Sequence, residues 1–482
     1  MTATCRVDGS SRGSSDSKYD TFPSLAASWR ISEEPFMKNI KFISNLKFRA
    51  SYGVIGNYPN VAYQSLSKME YSKYPFDGVL DSGAYEANLG NPELGWEKTD
   101  QYNIGLDLGL FNNKLTFAVD AYYKLTRDLL QQVKIAPSTG FDTRLMNLGK
   151  VENKGIEFDI NYKIFSTKKL EWSVYANGGI NKNKLRSLGN RDYIQGNTIG
   201  GVIANRFMVG QPLGVFYGLR QKGIFKSWDQ IRNSPDGIAQ RNATPGEYIF
   251  ENVHVDYVED ANENMVPSEK QVINEDDYTV IGDPNPDFVY AFGTDFKYKR
   301  FDFSILFTGQ VGGDIYWADY GVLTNMWRPY NMYAPAFENS WKAPLQYTVV
   351  DANGNAHVFG STGNMSSASY PRAMNWDKES VVVYQGDVTK ISRYRTDVMN
   401  DAMLHDASFL KIQNITIGYT FNNIPKISSI RLSVSGTNLF TFTKYPGYDP
   451  EISSSLSPMM RSIDLGAYPA QRTIIGSVQI NF

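Results

Sequence analysis

Apolar and polar side chains alternate along the last stretch of the chain. Ile474, Val478, Ile480 and Phe482 fall on one side of an extended strand, with Gly476 between them. Ser477, Gln479 and Asn481 fall on the other side, and Ile475 breaks the rule. Period-2 alternation is what a β-strand needs when one face meets an apolar medium and the other meets water.

The same pattern recurs upstream. Thr2–Val7 reads as the end of a strand, and Phe22–Ile31 as a strand carrying Trp29, an amphipathic ring suited to a membrane interface. Ser32–Ile43 is a connection with room for a helical turn. In Leu46–Gly56, residues Leu46, Phe48, Ala50, Tyr52 and Val54 alternate with Lys47, Arg49, Ser51 and Gly53. Tyr102, Ile104, Leu106, Leu108 and Leu110 alternate with Gln101, Asn103, Gly105, Asp107 and Gly109. After a tight turn at Phe111–Lys114, the apolar face returns as Leu115, Phe117, Val119, Ala121 and Tyr123. Beyond a loop predicted from Arg127 to about Asn153, Ile156–Ile164 and Trp172–Asn181 form another pair around Ser166–Lys169. Asp287–Tyr298 turns at Lys299-Arg300 into Phe301–Phe307, and Phe409–Phe421 turns near Pro425 into Ile430–Leu439. From Lys182 to Pro286 the pattern is weak, with Val215–Phe225 as a candidate strand.

The connections alternate between long and short. Hairpins with short turns at one end and long loops at the other are the signature of an outer-membrane barrel, with turns in the periplasm and loops outside. A β-sandwich would have short links at both ends, and a propeller a repeat of about 40–50 residues. Parity then requires that Lys182–Pro286 hold zero crossings or two. The predicted fold is all-β: an antiparallel transmembrane β-barrel, of which this chain supplies a C-terminal part of about 12–14 strands. Apolar faces would point to lipid and polar faces to the lumen. A closing strand that ends on an aromatic residue is typical of bacterial outer-membrane barrels, so Ile480 and Phe482 form the candidate barrel-assembly signal.

Composition agrees. Tyr and Phe dominate an aromatic content of 14%, and there are 40 Gly. These favour strands, aromatic girdles and turns. Charge is balanced, 48 basic against 50 acidic residues, which gives nucleic acid no footing as a partner. Cys5 is the sole cysteine, so no intrachain disulfide can form, and His254, His357 and His405 are scattered. No apolar run approaches the roughly 18 residues of a membrane-spanning helix, but a spanning strand needs only about 9–11. No signal peptide follows Met1. The expectation is that residues 1–482 lack a preceding signal sequence, plug domain and first barrel strands.

No Walker loop, His-Glu-x-x-His or Cys-x-x-Cys occurs, and Gly9-Ser10-Ser11-Arg12-Gly13 spells Gly-x-Ser-x-Gly only within a Ser/Gly-rich loop, without the strand-to-helix elbow that exposes a nucleophile. Asp276-Asp277 reads as a solvated turn. Asp260, Asn262 and Asn264 match the first oxygen ligands of a calcium loop, but Met265 stands where Gly is needed and Gln271 where Glu is needed. No cofactor or metal is expected. Trp327, Tyr330, Trp341 and Trp376 lie in the longest loop; their faces could stack on sugar rings, pack the loop on itself or sit at the membrane interface.

Motifs spread along the chain give it a family resemblance. They include Val7–Arg12, Phe22–Glu34, Leu89-Gly90-Asn91-Pro92-Glu93-Leu94-Gly95-Trp96-Glu97-Lys98-Thr99 and Val151–Glu157. Val209–Gly214, Gly282–Phe288, Asn438–Thr441 and Gly447-Tyr448-Asp449-Pro450 continue the series. In this set and order the chain resembles the C-terminal part of the SusC/RagA family of TonB-linked outer-membrane receptors. The resemblance implies a plugged barrel, in the class of barrels of about 22 strands. It implies import of a glycan, oligosaccharide or peptide driven through TonB, a SusD-like surface lipoprotein as cap, and residence in the bacterial outer membrane. TonB contact would run through the part preceding Met1. Two alternatives stand beside the receptor reading. One is a secreted or surface all-β glycan-active enzyme, which would need a carboxylate pair about 5–10 Å apart in a cleft. The other is a passive adhesin or porin-like barrel.

Overall fold

The computed structural model describes the chain outside residues 13–16, 59–64, 197, 200–201, 241–242, 255–256, 260–264, 269–271, 325–330, 343–344, 351–355, 362, 373–379, 385–386, 392–397 and 453–460. Twelve strands form one sheet. They are β1 (Thr2–Gly9), β2 (Tyr19–Arg30), β3 (Ile43–Asn57), β4 (Glu97–Leu110), β5 (Leu115–Lys134) and β6 (Thr143–Ser166). The sheet continues with β7 (Leu170–Leu188), β8 (Phe288–Tyr298), β9 (Phe301–Val311), β10 (Phe409–Ile424), β11 (Ile427–Thr443) and β12 (Thr473–Asn481). Each pairs antiparallel with its successor in the chain, and the sheet stays open, with β1 and β12 at its edges.

Register carries the sequence alternation from strand to strand. Ala50, Ile104, Ala121, Ile156 and Ile180 form one apolar row across β3 to β7. One residue along, Arg49, Gly105, Asp120, Glu157 and Gly179 form a polar row on the opposite face. The apolar face is uncovered: Ile104 is 56% exposed and Ile156 53%. In lipid this face needs no protein partner, and the strand ladder satisfies the backbone. The hydrophobic core therefore lies elsewhere, in the loops. Its largest cluster joins Phe216, Ile315, Tyr316, Trp317, Tyr320, Met399, Met403, Tyr445 and Ile463, drawn from three connections on the long-loop side.

Connections follow the predicted alternation. Residues 31–42, 111–114, 167–169, 299–300 and 425–426 turn at one end. The first of these holds two single-turn helices, Ile31–Glu33 and Pro35–Met37. Residues 58–96, 189–287, 312–408 and 444–472 make the large loops at the other end.

Two expectations change. The loop predicted from Arg127 to Asn153 is mostly strand, because β5 and β6 run on as a hairpin above the wall to a turn at 135–142. A bulge between Thr126 and Leu129, with Asp128 at φ 59°, shifts the alternation and hides the strand from a period-2 reading. Similarly β7 runs to Leu188. Of the zero or two crossings that parity allows between Lys182 and Pro286, the structure has zero, since β8 pairs directly with β7 at Val289 and Gly179. Val215–Phe225 becomes two short strands, Val215–Gly218 and Gln221–Ile224, inside the loop head. The calcium-like ligand positions 260, 262, 264 and 271 lie outside the described residues.

Candidate functional site: a carboxamide-lined cleft under the loop head

The long loops are fastened to the wall by side chains from the shared sequence motifs. Asn91 Nδ2 donates to Leu145 O at 2.9 Å, and Arg144 Nη2 donates to Asn91 Oδ1 at 3.2 Å. Asn147 exchanges two hydrogen bonds with the Gly95 backbone, accepting from its N–H at 2.9 Å and donating to its carbonyl at 3.1 Å. Trp96 is buried edge-on against Phe22, 5.4 Å between centroids, and its indole N–H donates to Ser17 O. The Leu89–Thr99 motif thus ties the β5–β6 hairpin to the β1–β2 end of the wall. Gly90 has to be glycine, because a Cβ there would lie 2.6 Å from Ser67 N.

A second fastening joins Val209–Gly214 and Gly282–Phe288. Asn183, near the top of β7, donates from Nδ2 to Asn285 Oδ1 at 2.9 Å and accepts from Leu213 N–H at 2.6 Å. Asn285 Nδ2 donates to Leu213 O at 3.1 Å and to Asp283 Oδ1 at 2.6 Å. Asp283 N–H donates to Asp314 Oδ2 at 2.9 Å, which carries the fastening to the next loop. Burial pushes the Asp314 carboxyl above its ordinary value, against the opposing effect of the Asp283 N–H. A third fastening is Lys411, buried on β10, which holds Asp449 and Glu451 of the last loop.

Between these fastenings lies a cleft of about 750 Å³. Asn153, Asn181 and Asn183 line it from the polar face of β6 and β7, Gln310 from β9, and Asn205, Asn285, Glu451 and Arg461 from the loops. Asn181 Oδ1 accepts from Tyr122 OH at 3.0 Å, and Arg461 Nη1 donates to Asn285 Oδ1 at 3.4 Å. Carboxamides present donors and acceptors together without net charge. Such a surface can read hydroxyl groups or peptide amides.

Of the aromatic residues singled out in the sequence, Trp327, Tyr330 and Trp376 lie outside the described residues. Trp341 sits in the loop head and packs against the cluster of Leu219, Ile224, Tyr248 and Phe250, with its indole N–H donated to Lys226 O at 3.2 Å. It does not line the cleft. Ile480 pairs with Ile430 in the last ladder, and Phe482 follows β12 at 90% exposure. Sequence reasoning put Asn181 on the polar face of its strand, left Asn153 at the end of a predicted loop and Asn183, Asn205 and Asn285 in the weakly patterned stretch, and singled out none of them. The available signal was Asn181 and Asn183 two apart on one face, beside the Asn285-Pro286 turn.

An antiparallel wall with an uncovered apolar face, short turns at one end and large fastened loops at the other defines a barrel-type outer-membrane protein. The family profile described as "TonB dependent receptor-like, beta-barrel" matches residues 1–439. The chain belongs to this family, with the SusC/RagA members. TonB-dependent receptor P3 of Formosa agariphila is 32% identical over 501 residues, covering 100% of this chain and 44% of that protein. TonB-dependent receptor SusC of Bacteroides thetaiotaomicron is 30% identical over 501 residues, covering 100% of this chain and 42% of its own length. The solved structure of the RagAB peptide transporter shares the fold, with a TM-score of 0.74 at 22% identity over 100% of this chain and 45% of that one. The chain spans less than half the length of these relatives. It is an outer-membrane chain of a receptor family and not an enzyme.

Proposed function

We propose that the chain forms the C-terminal wall and outer loop head of a receptor that imports a nutrient across the outer membrane. The supporting observation is the carboxamide cleft, which opens on the polar face of β6, β7 and β9 directly beneath the fastened loops. A ligand entering from the loop side would meet it before passing down the lumen. Its neutral donors and acceptors suit a glycan, an oligosaccharide or a peptide. The remaining wall, a plug and the TonB-contacting segment would belong to the rest of the receptor, and a surface lipoprotein of the SusD type would cap the loop head. Trp327, Tyr330 and Trp376 remain candidate ligand contacts on their sequence positions alone. The glycan-active enzyme is not favoured, since the wall presents no facing carboxylate pair in this cleft.

The test is uptake. A strain deleted for the gene should lose growth on one nutrient class and regain it with the wild-type gene. Asn181→Leu, which removes a cleft amide outside the Asn183–Asn285 fastening, should restore only part of it at limiting nutrient. Undiminished growth of the deletion strain on every glycan and peptide source would overturn the reading.

A further inference from the structure

A second pocket, of about 420 Å³, opens in the loop head away from the carboxamide cleft. Trp317, Tyr333 and Tyr448 supply aromatic walls, Asp319 and Asp464 the charges, and Met332 an apolar edge. Trp317 is buried and meets Tyr333 edge-on, 5.7 Å between centroids, so its ring is held in place. Tyr448 belongs to the Gly-Tyr-Asp-Pro motif and is 79% exposed, a ring offered at the entrance.

The two carboxylates differ. Asp464 is buried and saturated: Oδ1 accepts from Gly466 N–H at 2.9 Å and Ala467 N–H at 3.0 Å, and Oδ2 from Tyr445 OH. Asp319, half-buried at the start of the helix Asp319–Thr324, has no hydrogen-bond or ion-pair partner among the described residues. Burial, and then the charge of Asp464, raise its carboxyl above the ordinary value. Gly466 lies beneath it: a Cβ there would stand 3.1 Å from Asp319 Oδ2. Among the described residues no Lys, Arg or His lines the pocket. A partly desolvated carboxylate with no cation beside it among the described residues, flanked by aromatic side chains, is the chemistry that recognises an organic cation.

We propose that this pocket binds a positively charged organic group, such as the side chain of a lysine or arginine carried by an arriving ligand, between Trp317, Tyr333 and Tyr448 and against Asp319. The site goes beyond the carboxamide cleft, where one carboxylate, Glu451, is matched by one cation, Arg461. It rests on the import reading only for the direction from which ligand arrives.

Binding is measured directly on the full receptor in detergent, by calorimetry with Nα-acetyl-lysine methylamide. The neutral isostere Nα-acetyl-norleucine methylamide and n-butylammonium serve as comparison probes. The lysine probe should bind at least about tenfold more tightly than the norleucine probe, the scale of a desolvated cation–aromatic contact. Asp319→Asn should remove that preference. Tyr448→Ala, at an exposed position that does not threaten folding, should weaken lysine binding several-fold. Butylammonium binding as tightly as the lysine probe supports a site for organic cations in general; a preference for the blocked lysine supports one for peptide side chains. Equal binding of lysine and norleucine probes, no binding of any cation, or an unchanged preference in Asp319→Asn overturns the proposal. Transport is not part of this readout, so such a failure leaves the import reading untouched, and a negative growth result leaves the pocket untouched.

Discussion

Arg49 reaches Asp120 two strands away by crossing over Gly105. Its Nη1 donates to Asp120 Oδ1 at 2.8 Å and its Nη2 to Asp107 Oδ1 at 2.8 Å. Gly105 lies between Arg49 and Asp120 in the polar row, and a Cβ there would stand 2.5 Å from Asp120 Oδ1 and 2.7 Å from Arg49 Cζ. The device recurs at Gly418, where a Cβ would meet both Asp302 and Arg431, and at Gly155 beneath Tyr122. Glycines on the polar face thus let long side chains stitch strands beyond the backbone ladder.

Gly105→Ala should therefore behave like a weakened Arg49. Each of Arg49→Gln and Gly105→Ala should destabilise the wall by about 1–3 kcal/mol, the range for charge-assisted hydrogen bonds. Guanidinium unfolding of the receptor in detergent measures both. Because they disable the same contact, the double variant should cost clearly less than the two single losses added together. Full additivity would mean that glycine serves some other purpose there.

Lys411 should control whether the last loop stays docked. Its side chain is 1% exposed and its Nζ lies 3.3 Å from both oxygens of Asp449. Lys411→Met leaves two carboxylates facing an apolar neighbour, a loss of about 3–5 kcal/mol for a broken buried pair. Limited proteolysis should then cut within 444–472 much faster than in wild type. Adding Asp449→Asn should restore part of the protection. A digestion pattern identical to wild type would show that the loop core, through Tyr445 and Ile463, holds the loop unaided.

The loop head should loosen in mild acid. His405 packs against Trp317, Tyr320 and Tyr445, with ring centroids 5.4–6.1 Å away, and its buried Nε2 has no hydrogen-bond partner among the described residues. Burial lowers its pKa from 6.5, so the folded head prefers neutral imidazole. The stability this adds is complete above the unfolded pKa. It is lost as pH falls from about 6.5 through the lower folded value. Asp314, Asp319 and Asp401 act with the opposite sign, since burial raises them and their protonation favours the folded head. His405→Phe isolates the histidine. Melting followed by tryptophan fluorescence should fall between pH 7 and 5.5 in wild type more than in this variant; equal slopes would count against the imidazole.

Strand alternation was readable because one face of each strand meets lipid and the other does not, so a local pattern reports a global environment. Ile104, Ile156 and Ile180 could be placed from their spacing alone. The alternation failed where β5 and β6 pass the bulge at Asp128, because one inserted residue reverses which parity is apolar. The loop head was opaque for another reason. Its core pairs residues as distant as Phe216, Ile315 and Ile463, and no period along the chain encodes such contacts. Trp341 shows the hazard of reading loop aromatics as ligand platforms: its N–H and part of its ring are engaged by the loop itself. Of the cleft asparagines only Asn181 was visible as a polar strand position, and only the folded loops bring Asn183 to Asn285.

Asn285 offers the sharpest test of that fastening, because an isosteric change reverses its polarity. Its Oδ1 accepts from Asn183 and Arg461 while its Nδ2 donates to Leu213 O and Asp283 Oδ1. Asn285→Asp keeps the volume and both acceptors but removes both donors and sets a carboxylate against Asp283. Leu213 O loses a partner, and repulsion pushes the Gly282–Asp287 turn from the wall. The expected cost is about 2 kcal/mol or more, from an unpaired carbonyl and opposed like charges. Asn285→Ala removes the donors without the repulsion and should cost less. Adding Asp283→Asn to Asn285→Asp should recover much of the loss. Hydrogen exchange at the Leu213 and Asn183 backbone amides of the receptor reads the fastening locally. Should Asn285→Asp exchange no faster than Asn285→Ala, the hydrogen bonds drawn from the Asn285 amide would not be what joins the loop head to the wall.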